Sequence, residues 1–175
     1  SLVDRGQGFQ RQVLGIRAGQ DVFLTGYWQS ERYFRDQEEG VRKGFIFQEA
    51  PDRANEALLA GMARDSANGF PTVSVHIRRG DYVSDPKTNA AHGLLSTAYY
   101  EAAAALLECR LHKASYYVFS DDLSWCRGHL RFKGPVTFVD ANAGRPGWLD
   151  LRLMSACQHH IIANSSFSWW GAWLN

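Results

Sequence analysis

The stretch "VSVHIRRGDY", residues 73–82, decides how this chain folds. In an extended strand Val73, Val75 and Ile77 fall on one face, and Ser74, His76 and Arg78 on the other. The apolar face is ordinary core. The polar face runs into a histidine and two adjacent arginines, which a core strand would not carry without a partner. The strand therefore reads as one that delivers chemistry at its carboxyl end.

Working outward, residues 72–77 are one of several predicted strands that alternate with helices. Upstream, 22–25 reads as a short strand, Ser30 as the cap of a helix that stops at Gly40, and 51–69 as a helix with Pro51 in its first turn. Downstream come a polar loop, helix 97–110, strand 115–119, a short helix from Asp122, and strand 136–139. Helix 148–157, strand 159–163 and a helix opening near Ser166 complete the run. Such alternation predicts an α/β fold, a Rossmann-like parallel sheet flanked by helices. The composition breaks between Ser66 and Pro71, which places a domain boundary there, with 1–70 in one domain and 71–175 in the other.

Bulk properties narrow the function. With 45% hydrophobic and 21% charged residues over 175 positions, the chain has an ordinary globular composition. A net charge of +1 gives no basic field for nucleic acid. Cys109, Cys126 and Cys157 are odd in number and widely spaced, so they read as buried thiols in a reducing compartment. No apolar run approaches the roughly 18 residues needed to span a bilayer. Both ends read as cut, so a membrane anchor is left open.

In open parallel sheets, ligands bind beyond the carboxyl ends of the strands. Three polar groups fall there: His76-Ile77-Arg78-Arg79-Gly80-Asp81, then Ser120-Asp121-Asp122, then Asn164-Ser165-Ser166-Phe167-Ser168. Arg78 offers a planar fork for phosphate oxygens, whereas Arg79 faces the other way and serves structure. Asp81 holds a guanidinium or acts as a base. Asp121 or Asp122 accepts from a donor-rich base edge such as guanine. The run from Asn164 to Ser168 puts hydroxyls and backbone N–H groups at a helix start, a natural anion site. Together these describe a nucleoside diphosphate held without metal, and the sequence contains no DxD. Each piece alone has a plainer reading: a surface ion pair, a helix cap, or core tryptophans. Their common edge favours the site.

The residues also resemble a known family. "HIRRGDY" is similar to the HxRRxD motif of fucosyltransferases, and "VFSDD" with Trp125 to their second motif. "LMSACQHHIIANSSFSWWGAWLN" closely resembles the third motif of the α-1,2-fucosyltransferases, glycosyltransferase family 11. "GYWQSERYF" resembles a further family segment, and the blocks stand in order from about Val22 to the last residue. A glycine-rich GGLGNQ-like loop, expected near the family's N-terminus, is missing.

The resemblance implies two facing Rossmann-like domains, the GT-B arrangement, truncated at both ends. Residues 1–70 would be acceptor-side, with Tyr27, Trp28 and Gln29 near the acceptor; 71–175 would be an incomplete GDP-fucose-binding domain. It implies inverting transfer of L-fucose from GDP-β-L-fucose to the 2-hydroxyl of a galactose-terminated glycan, with neither cofactor nor metal. Arg78, His76 and Asp81 would be catalytic. The donor would be bound by His76, Arg78, Asp121, Asp122, Asn164, Ser165, Ser166, Phe167 and Ser168, with Asp122 reading the guanine. The alternatives are a fucosyltransferase acting on protein hydroxyls or a core α-1,6 site, and an incomplete sugar-nucleotide-binding domain. A sugar-binding module using exposed Trp169 or Trp173 stands outside that class. The implied location is cytoplasmic or membrane-peripheral for the favoured bacterial type, and the Golgi lumen for an animal one.

Overall fold

The structure, a computed structural model, describes residues 2–4, 8–17, 19 and 21–175. It forms two compact units, Ser1–Ile46 and Phe47–Asn175.

In the first unit β1 (Leu2–Val3) and β2 (Leu24–Thr25) pair in parallel. The helix expected from Ser30 is broken up. Ser30 does accept from the Arg32 amide, but only 3₁₀ turns follow, and α1 (Glu38–Gly44) starts after them and passes Gly40. Phe34 and Gln37, at φ −130° and −121°, leave the helical region and interrupt the run.

The second unit begins with α2 (Arg53–Ala67), capped by Asp52, whose carboxylate accepts from the Asn55 amide. Pro51 therefore lies outside the helix rather than in its first turn. Gly69, at φ +75°, turns the chain after it. The helix is tied to the sheet, since Asp65 accepts from the hydroxyls of Ser115 at 2.6 Å and Tyr117 at 2.7 Å. The break between compact units thus falls at Ile46/Phe47, ahead of the break expected at Pro71.

The remaining elements are β3 (Thr72–Ile77), α3 (Gly80–Ser84), α4 (Pro86–His92), α5 (Thr97–Leu111), β4 (Ser115–Ser120) and α6 (Leu123–His129). Then follow β5 (Val136–Phe138), α7 (Trp148–Ser155), β6 (His159–Ile161) and α8 (Ser166–Trp173). The four strands form one parallel sheet in the order β5-β4-β3-β6. α3 and α4 occupy what reads in the sequence as a polar loop. Their signal was local: Asp85 caps α4 by accepting from the Lys87 amide, and Pro86 stands at its start.

β3 is buried along its whole length, on both faces, as a central strand of a covered parallel sheet must be. Val73, Val75 and Ile77 join Tyr116 and Val118 beneath Tyr100 and Ala104 of α5 and Cys126 of α6. Each such aliphatic side chain contributes about 1.5–3 kcal/mol by burial. On the other face Tyr117 and Phe119 pack with Met62 of α2 and with Leu153 and Met154 of α7. Ser74, on the polar face, meets the His160 ring at 2.8 Å from its Nδ1. Cys126 and Cys157 are buried, but Cys109 is exposed, and all three are free.

The connectivity sets where a crevice would fall. From β3 the chain steps to β4 and β5 in one direction, then returns through α7 to lay β6 on the far side of β3. The direction reverses between β3 and β6. Loops leaving such a pair diverge to opposite faces and open a cleft at the carboxyl edge.

Candidate active site

Two of the three polar groups are brought together by strand register. Ile77 stands opposite Ser120, so Arg78 and Arg79 emerge beside Asp121 and Asp122. Arg78 reaches Asp81 Oδ1 through Nη2 at 2.9 Å and Asp121 Oδ2 through Nη1 at 3.0 Å. Asp121 Oδ1 also accepts from the Arg79 amide at 2.9 Å. Arg79 turns to different partners: Nε donates to Asp122 Oδ2 at 3.2 Å, and its guanidinium lies 3.7 Å from the centre of the Trp125 ring. Trp125 stacks in turn on His129 at 4.6 Å.

Asp122 is a helix cap. Its Oδ1 accepts from the Trp125 amide at 3.0 Å while Oδ2 holds Arg79. The amide bond, followed by Arg79, holds its carboxyl below the usual range. Both oxygens are thus engaged within the protein, one of them in the helix cap that the plainer sequence reading expected. The Trp125 column was the residue role that spacing missed; a Trp three positions after a capping Asp is its signal.

The third group is pinned to the first. Tyr82 of α3 donates to the Asn164 carbonyl at 3.2 Å, Tyr99 of α5 to the Ile162 carbonyl at 2.9 Å, and the Asn164 side-chain Nδ2 to the Gly93 carbonyl at 3.0 Å. These bonds fix the turn from β6 into α8. Ser165 is the N-cap of α8, yet no side chain caps the helix, so its first amides remain for another acceptor. Ser168 is different from its neighbours. It is fully buried, and its hydroxyl is directed to the carbonyls of Ala163 at 3.2 Å and Ser165 at 3.1 Å. It shapes the turn from inside, whereas Ser166 is exposed.

His76 joins the two halves. It is 6% exposed, and its ring lies 5.5 Å from Phe167 of α8; a Cβ at Gly147, just before α7, would come within 3.4 Å of the Phe167 ring. Burial lowers its pKa from 6.5 to about 4, against the pull of Asp121 and helped by Arg78. The ring is therefore neutral at neutral pH, and its buried Nδ1 has no partner. A neutral imidazole donates or accepts a hydrogen bond and adds no charge.

Tyr27, Trp28 and Gln29 belong to the first unit; Trp28 takes φ +50° and its amide donates to Asp4 at 3.1 Å. Trp169 and Trp173 are half-buried and stacked on each other at 6.3 Å, which neither exposes nor buries them as an open sugar platform requires. Among the described residues no group of three or more His, Cys, Asp or Glu could hold a metal ion, and no helix is long and apolar enough to cross a membrane.

A parallel four-stranded sheet flanked by helices, with an arginine fork and a helix start at its switch point, is an arrangement consistent with a Rossmann-like glycosyltransferase. The match is specific: residues 5–175 fit the model of glycosyl transferase family 11, and the chain belongs to that family. It is 39% identical over 170 residues to an alpha-1,2-colitosyltransferase of Escherichia coli, covering 95% of this chain and 55% of that protein. It is 41% identical over 104 residues to the O-antigen biosynthesis glycosyltransferase WbnK of Escherichia coli, covering 59% of this chain and 34% of that protein. It is 28% identical to galactoside 2-alpha-L-fucosyltransferase SEC1 of Bos taurus, over 89% of this chain and 43% of that protein. The chain thus spans about half the length, or less, of these relatives. No solved structure matches.

Proposed function

We propose that this chain carries the GDP-sugar site of an inverting glycosyltransferase that moves L-fucose from GDP-β-L-fucose to the 2-hydroxyl of a galactose residue. The observation that carries the reading is the convergence of Arg78 and the uncapped start of α8 on the β3/β6 switch point. As the glycosidic bond breaks, charge grows on the leaving diphosphate. Donors already aimed at that charge stabilise the transition state more than the ground state. Arg78 supplies a planar cation and α8 supplies oriented amides. The galactose hydroxyl attacks the opposite face of an oxocarbenium-like sugar, which inverts the anomeric centre. Neutral His76 positions the nucleotide.

A second reading concerns the sugar alone. The colitosyltransferase relative matches 95% of this chain, so its sugar, the 3-deoxy counterpart of fucose, is the competing donor. Assays of the full-length protein with GDP-fucose and GDP-colitose, on a β-galactoside and in EDTA, separate the two. Fucose transfer forming an α-1,2 linkage supports the first reading. Transfer of colitose alone replaces it with the second, and no transfer of either overturns both.

A further inference from the structure

Arg78 is gripped at both terminal nitrogens, by Asp81 at 2.9 Å and by Asp121 at 3.0 Å. The two carboxylates are not equivalent. Asp81 lies in the first turn of α3, with its side chain 48% exposed. Asp121 is 25% exposed, and its other oxygen is fixed by the Arg79 amide. The backbone also closes on it, because a Cβ at Gly80 would come within 2.8 Å of Asp121 Oδ2.

We propose that Asp121 is the positioning residue for Arg78, and that Asp81 is the partner a donor phosphate displaces. This rests on the donor-site reading above. Arg78, Arg79, Asp81, Asp121 and Asp122 form a cluster of two cations and three carboxylates, one unit negative before any ligand arrives. An entering diphosphate adds negative charge to that cluster and so competes with the carboxylates for Arg78. The one more open to water and held by a single described contact costs least to release. The one fixed by a backbone amide stays and keeps the fork aimed. Freezing that geometry in advance removes reorganisation from the chemical step. Glycine at position 80 fits the same contact, since a Cβ there would crowd the Asp121 oxygen that holds Arg78.

The test uses Asp121→Asn, Asp81→Asn, Arg78→Lys and their pairs in the full-length protein. Asparagine at 121 keeps an oxygen for the Arg79 amide and presents its NH2 to Arg78, so the charge and the acceptor that hold Arg78 are both lost. Asp121→Asn should lower kcat about 10²-fold, as a misplaced catalytic group does, with GDP affinity from calorimetry and Tm changing little. Asp81→Asn should cost less in kcat and hold GDP at least as tightly. Added to Arg78→Lys, Asp121→Asn should cost less than about a further twofold. Asp121→Glu, which keeps the charge but displaces it, should also fold and lose kcat. The proposal is overturned if Asp81→Asn is the more damaging change, if Asp121→Asn adds its full factor to Arg78→Lys, or if GDP affinity falls in step with kcat. Wild-type protein that does not bind GDP at all overturns the donor-site reading instead, and this inference with it.

Discussion

Arg78 and Arg79 are neighbours in sequence with separate work, and the structure gives each a distinct consequence. Arg78→Lys keeps the charge but loses the fork that meets Asp81 and Asp121 and that the proposed function aims at a phosphate; kcat should fall about 10²–10³-fold. Arg79→Lys loses the stack on Trp125 and should cost about 0.5–1 kcal/mol of stability with a milder effect on turnover. Steady-state kinetics and thermal melts on both variants check this; a dead Arg79→Lys beside a normal Arg78→Lys would reverse the assignment. His76 yields a pH prediction. Its pKa is about 4 folded and 6.5 unfolded, so between those values the unfolded chain binds the extra proton. Stability should therefore fall as pH drops from 6.5 toward 4, by about 3 kcal/mol at most from this residue. Urea titrations at pH 7 and pH 5 should show a smaller difference in His76→Gln than in the wild type. At this scale the sequence was partly readable. The divergence of the arginines follows from strand alternation, but the engagement of Asp122 depends on where the Arg79 side chain goes, which no spacing reveals.

Elements were legible where periodicity was strong and failed where short-range chemistry competed with it. β3, β4 and α5 lie close to their expected limits because alternation and a long helical run leave little choice. β5 and β6 are shorter than expected, each ending before its last apolar residue where the chain turns toward the site. α3 and α4 were missed because their residues carry no apolar period, only a cap and a proline. The pairing of α7 and α8 was invisible in sequence, since it depends on a close approach across the second core. A Cβ on Gly171 would lie 2.9 Å from Met154 Cε and 3.1 Å from its Cβ. Gly171→Ala should therefore destabilise the fold by about 1–3 kcal/mol through overpacking. Denaturant melts measure it; an unchanged midpoint would show that Met154 yields freely.

At the scale of the whole molecule, the strand order β5-β4-β3-β6 matters more than any single side chain. It puts the reversal between β3 and β6, so the two segments richest in polar residues meet at one edge. Strand–helix alternation announced a parallel sheet, but not the return of the chain past β3, which is a long-range choice. The extent of the second unit was equally hidden, because α2 is bound to the sheet by Asp65, a polar residue that reads in sequence as surface. The central proposal is that this edge holds a guanosine diphosphate by Arg78 and the start of α8, without a metal. Calorimetry of the full-length protein with GDP in EDTA tests it most directly, beside Arg78→Ala. Removing a charge-assisted hydrogen bond costs about 1.5–3 kcal/mol, so the variant should bind roughly 10–100-fold more weakly than a wild type that binds with chelator present. Binding that appears only after a divalent ion is added, or that is equal in the two proteins, would contradict the account.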